Sequence, residues 1–124
     1  MKYQILQIQM DSELIAAVNS DLTTEEQQEK WIAYLDCTTA AKYEPALKLG
    51  MFRHVADIEA EHIEQVFEIG NIGPEHRITR HKPMHSVSVG NLVVDADGKM
   101  FVCASVGWEE LSPQAVSQVL EALS

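Results

Sequence analysis

The chain of 124 residues carries 9 Lys and Arg against 19 Asp and Glu, a net charge of −10, with 46% hydrophobic residues. That length fits one domain, 1–124, with a real core, and the acidic balance predicts a surface that repels nucleic acid and anionic membranes. Cys37 and Cys103 form no Cys-x-x-Cys pair, which excludes zinc ribbons and thioredoxin-like redox motifs. No apolar run approaches the roughly 20 residues of a membrane span. The amino end turns polar within about ten residues, too early for a signal peptide. The expectation is a cytoplasmic protein with two packed, reduced thiols.

Lys2–Met10 reads as a strand in which Tyr3, Ile5 and the Leu6/Ile8 positions alternate with Gln4, Gln7 and Gln9. Asp11 or Ser12 caps a short helix over 12–19, with Leu14, Ile15, Ala17 and Val18 on one side. Thr23 to Glu26 has the spacing of a capping box for a helix over 24–35. Trp31 and Tyr34, three apart beside Leu35, are expected in the core rather than as a ligand platform. Pro45 argues against one uninterrupted helix over 36–50, and Gly50 can end a short one.

Met51–Ile58 predicts a strand with Phe52, His54 and Ala56 on one face and Met51, Arg53 and Val55 on the other. A helix over 60–69 follows, with Ile63, Val66 and Phe67 as its apolar face and Glu61, Glu64 and Glu68 opposite. A solvated acidic face is the plain reading of those carboxylates, because no matching ligand set stands elsewhere at defined spacing. Gly70–Pro74 ends the helix.

Glu75–His85 inverts the local charge, with Arg77, Arg80 and Lys82, and holds His76, His81 and His85. Pro83 separates His81 from His85, so one helical face cannot present both, and no thiolate or carboxylate spacing completes a zinc set. His85-Ser86 is no triad, since sequence neighbours rarely align as base and nucleophile. Neither a metal, a cofactor nor a catalytic residue is expected. The loop is read as electrostatic, folding over the acidic helix or meeting an anionic partner.

Strands near 87–94 and 99–106 flank Asp95–Gly98, where Asp97-Gly98 is a hairpin signal. Gly107 before Trp108 suggests a bulge or a close backbone approach. Ser112-Pro113 starts a last helix whose stripe is Ala115, Val116, Val119, Leu120 and Leu123.

Phe67-x3-Asn71-x2-Pro74, the run His85-Ser86-Val87-Ser88-Val89-Gly90-Asn91-Leu92-Val93, Asp97-Gly98 and Gly107-Trp108-x-Glu110 together resemble the YodL-like domain family over about 51–111. The chain departs from that pattern at Asn91, where the family favours Asp, at Trp108, where it favours Phe, and in the spacer 70–74. The resemblance implies a domain carried by plasmids, phage or conjugative elements, and brings no catalytic residues with it.

The fold expected is α+β: a small, mainly antiparallel sheet with helices packed mostly on one face, the other face left exposed or buried in a partner. The function expected is that of a non-enzymatic accessory or interaction protein of a mobile genetic element. The candidate binding residues are His85, Ser86, Ser88, Arg77, Arg80, Trp108, Glu61, Glu64 and Glu68. The partner expected is a protein, with no direct nucleic-acid binding and no membrane; a homodimer is left open. The competing expectations are an acidic nucleic-acid decoy and a small metal enzyme built on the histidine loop.

Overall fold

In the computed structural model, which describes residues 1–123, six antiparallel strands form one sheet in the order β3-β2-β1-β4-β5-β6. The strands are β1 (Lys2–Ile8), β2 (Phe52–Glu59), β3 (Ile78–Arg80), β4 (Leu92–Val94), β5 (Met100–Cys103) and β6 (Trp108–Glu110). The helices are α1 (Ser12–Asn19), α2 (Glu25–Ala40), α3 (Glu44–Lys48), α4 (Ile63–Asn71) and α5 (Pro113–Leu123). Among the described residues, no helix is long and apolar enough to cross a membrane. The α+β class and the antiparallel sheet are as expected.

Local signals set most of the helix ends. Asp11 caps α1 by accepting from the Leu14 N–H at 2.7 Å, and Ser112 accepts from the Ala115 N–H at 3.2 Å. The capping box of α2 lies one residue later than its predicted place, on Thr24 and Gln27, because the Gln27 amide returns to the Thr24 N–H at 2.9 Å. Continuing to Ala40, α2 buries Ala33 and Cys37, while Trp31 and Tyr34 are only half-buried and stack on each other with centroids 5.4 Å apart. The pair is thus peripheral rather than buried, with Tyr34 packing against the edge of the core. Likewise α5 fully buries Val119 alone of its stripe, leaving Leu120 and Leu123 exposed.

On one sheet face Leu6, Ile8, Phe52, Leu92, Met100 and Val102 pack with Ala33, Cys37, Leu47 and Val119 of α2, α3 and α5. On the other, Tyr3, Ile5, Val55, Ala56, Ile58 and Val93 pack with Val66 and Ile69 of α4 and with Val87. Helices thus gather mainly on one face, but the second face is not open: α4 and the segment 83–91 cover it.

That segment corrects the expected strand over 87–94, which is a strand only from Leu92. Gln7, one of the polar residues in the alternation of β1, is buried and binds the crossing chain. Its Nε2 donates to the His85 carbonyl at 2.9 Å and to Asn91 Oδ1 at 3.1 Å, and its Oε1 accepts from the His85 N–H at 3.2 Å. Gln9 Nε2 donates to the Pro83 carbonyl at 2.8 Å, and the Ser88 N–H donates to Asn91 Oδ1 at 3.0 Å. A segment without a strand ladder needs such partners, since buried backbone groups left unpaired are costly. Gly90 closes the turn at φ +88°, and a Cβ there would stand 2.4 Å from the Cys37 carbonyl oxygen. Only glycine fits.

The turn between β4 and β5 is as predicted: Gly98 has φ +84° and donates to the Asp95 carbonyl, while Asp95 Oδ1 accepts from the Asp97 and Lys99 N–H groups. The second run stops at Cys103, however. Ala104–Gly107 is a turn, with the Ala104 N–H donating to the Gly107 carbonyl at 2.9 Å, and Val106 is exposed rather than in a strand. Gly107, at φ +75° with open space where a Cβ would go, serves that turn rather than a bulge or a close approach.

In β2 the expected alternation fails at one point. Ile5 faces Ala56 and Leu6 faces His54, so Val55 is an extra residue. Val55 and Ala56 therefore both enter the core on the α4 side, and Ala56 does not share a face with Phe52 and His54.

Candidate functional site

The residues singled out in the sequence scatter into three neighbourhoods. Arg80, on edge strand β3, donates from its two terminal guanidinium nitrogens to the Glu75 carboxylate, at 2.5 and 3.2 Å. That hydrogen-bonded pair holds the Glu75 carboxyl below the ordinary carboxylate range. Arg77 is half-buried beside it. The basic segment thus pairs within itself and with β2 instead of lying over the carboxylates of α4.

His85, Ser86 and Ser88 are exposed along the crossing segment, and the His85 ring meets the Ser86 carbonyl at 2.8 Å. Nothing brings Ser86 or Ser88 to an activating base. The buried thiols are no better suited as nucleophiles: burial, with the nearby Glu44 charge, pushes Cys37 up to about 12, and burial also raises Cys103.

The third neighbourhood unites two of the predicted residues. Glu64 and Phe67 of α4 face Cys103–Ser105, Gly107 and Trp108 across a surface cleft of about 320 Å³. Phe67, expected in the core, is 47% exposed, because the buried positions of α4 are Val66 and Ile69. Trp108 pairs with Cys103 in the β5–β6 ladder and is half-buried against the α4-side core. Glu68 is exposed on α4, whereas Glu61 lies before the helix, its N–H donating to Gln65 Oε1. The predicted three-carboxylate helix face is therefore two carboxylates and a residue in the preceding turn. A larger groove of about 440 Å³, between α2 and α3, contains none of the predicted residues.

A fourth arrangement was not assembled from the sequence. Asp57, buried on β2, meets His54 Nε2 at 2.7 Å with one oxygen and His81 Nε2 at 2.8 Å with the other. Lys2 Nζ lies 3.5 Å from the same carboxylate. Burial pushes the Asp57 carboxyl up, but the bonds from His81 and His54 and the charges of His54 and Lys2 outweigh it and leave the group below its usual value.

The extra residue in β2 makes this possible: His54 and Asp57 are three apart, which in a regular strand would put them on opposite faces. The Thr79–Asp57 register of β3 and β2 then sets the phase that carries His81 to the same side. The His81 N–H donates to the Val55 carbonyl at 2.8 Å. Of the histidine loop, only His81 takes part among the described residues. A His-x-x-Asp spacing on a strand is a signal only if the bulge is known, and the partner 24 residues on has no sequence marker.

The chain matches no family model, and comparison with curated proteins and with solved structures finds no similar protein. The YodL-like resemblance therefore rests on the residues that carry it.

Proposed function

We propose that this protein is a non-enzymatic interaction module that binds an apolar, basic segment of a partner protein in the cleft between α4 and the β5–β6 hairpin. The observation that supports this reading is the exposure of Phe67 beside Trp108 with Glu64 at the rim. A half-exposed phenylalanine next to a tryptophan offers a large apolar surface of the kind that dominates binding energies, and a carboxylate at its edge favours a cationic neighbour. The acidic net charge favours the same partner chemistry at longer range. The role as accessory protein of a mobile genetic element is supported by the YodL-like resemblance of 51–111.

Panning a displayed random-peptide library on the immobilised protein tests the cleft. Enriched peptides should combine Arg or Lys with large apolar residues and perturb the Trp108 indole resonance. Trp108→Ala and Phe67→Ser should each weaken them at least tenfold while the fold is retained. Peptides that bind these variants as well as the unaltered protein, or no enrichment at all, would remove this reading.

A further inference from the structure

We propose that His54, Asp57 and His81 form a mononuclear site for a divalent first-row transition ion of the zinc class. This inference is independent of the cleft and of any partner bound there.

The donor set carries the argument first. Two imidazole nitrogens and a carboxylate oxygen converge, all within 4.8 Å of one another. Nitrogen-rich sets of this kind suit zinc, cobalt, nickel and copper, whereas magnesium and calcium prefer oxygen alone. With both imidazoles neutral, the three ligands bring one negative charge to a dication. Three protein ligands also leave one tetrahedral position for water or a further ligand.

Placement is the second support. Asp57 has a side chain only 10% exposed, while those of His54 and His81 are 39% and 42% exposed. The carboxylate is the fixed, inner ligand and the two rings form the solvent-facing mouth, which gives an ion an entry path. The rings meet edge to face, with centroids 4.9 Å apart and planes at 60°, so both Nε2 atoms reach the carboxylate without the rings stacking.

Two of the three ligands stand on a strand, and His81 follows directly on the end of β3. β2 supplies His54 and Asp57, and the bonds from His81 and Lys82 N–H groups to the Val55 carbonyl tie the third ligand to the bulge itself. Ligands carried on paired strands hold their spacing better than ligands on free loops.

The adjustment required is small. Ligands about 2.1 Å from one ion at a tetrahedral angle stand about 3.4 Å apart. The two imidazoles now meet different oxygens of Asp57, at 2.7 and 2.8 Å, so the carboxylate would hold the ion through both oxygens or turn to offer one, and each nitrogen–oxygen separation would open by about 0.6 Å. Each ring would exchange its Nε2 proton for the ion. Lys2, the cation nearest to Asp57, has a side chain 63% exposed and can swing into solvent.

The test uses the full chain after treatment with a chelator. Calorimetric titration with zinc chloride should show one equivalent per chain. Cobalt chloride should give the visible absorption of a low-symmetry four-coordinate ion. His54→Ala and His81→Ala should each weaken zinc binding about a hundredfold or more with an unchanged circular-dichroism spectrum. His76→Ala and His85→Ala should leave it unaltered. Both affected rings are substantially exposed, so these variants stay folded even if Asp57→Asn does not. Zinc should also raise the melting temperature of the unaltered protein and not of His81→Ala. Absence of a stoichiometric zinc isotherm, or affinity that survives in both His54→Ala and His81→Ala, would overturn the site.

Discussion

On one face of the sheet Leu6, Phe52, Leu92 and Met100 meet apolar side chains from α2, α3 and α5. On the other, α4 covers part of the surface, and the rest is closed by a chain segment held through the amides of Gln7, Gln9 and Asn91. The first kind of closure is nondirectional and scales with apolar area removed from water. The second depends on a few bonds whose geometry must be right, and losing one partner leaves the others buried and unsatisfied. The difference predicts global fragility for the first face and local fragility for the second.

The largest effect should come from Phe52→Ala on the helix-covered face, which removes a buried ring and leaves a cavity costing about 3–5 kcal/mol. Urea unfolding should show that loss with a single, cooperative transition. Stability within about 1 kcal/mol of the unaltered protein would mean that this face is not where the main core lies.

A smaller loss, about 2 kcal/mol, is expected for Gln7→Ala, since His85 and Asn91 lose a buried partner. Its signature should be regional: amide exchange speeds up over 84–91 while the helices of the opposite face keep their protection. Gln4→Ala, on the same strand but exposed, should cost less than about 0.5 kcal/mol. Equal effects of the two glutamines would erase the distinction between the faces.

Gly98→Val should destabilise by somewhat more than 1 kcal/mol, about the strain of a β-branched residue at positive φ, because nothing near Gly98 resists the added volume. The β4–β5 hairpin contributes to both faces, through Leu92 and Met100 on one and Val93 on the other, so protection should fall on both alike. An unchanged melting temperature would remove this residue from the turn.

The contrast also explains what could be read beforehand. Side-chain periodicity, caps and Asp97-Gly98 mark local structure, and β1, α1, α5 and the hairpin follow from them. The amide-held segment has no period to read: Val87 and Val89 look like a strand, yet the backbone around them bonds to Gln7 and Asn91, buried polar residues that no pattern marks. The short edge strands β3 and β6 are equally unmarked, because three residues carry too little pattern. In the cleft, Glu64 and Trp108 were visible as residues but not as neighbours, since their proximity depends on how α4 lies over the sheet. His54, Asp57 and His81 required both the bulge and the β2–β3 register.

The extra residue in β2 has a consequence for length variation in this chain. β1 contributes seven residues to the pairing and β2 eight. Shortening β2 by Val55 alone would restore one-to-one opposition while leaving His54 and Asp57 on their present side and Ala56 and Ile58 on theirs. Deleting Ile58 would instead leave the extra residue in place and turn Glu59 to the opposite face. Position 55 is therefore the place in the β1–β2 pair where a natural one-residue gap is in phase with the fold, and where related chains of unequal length should align.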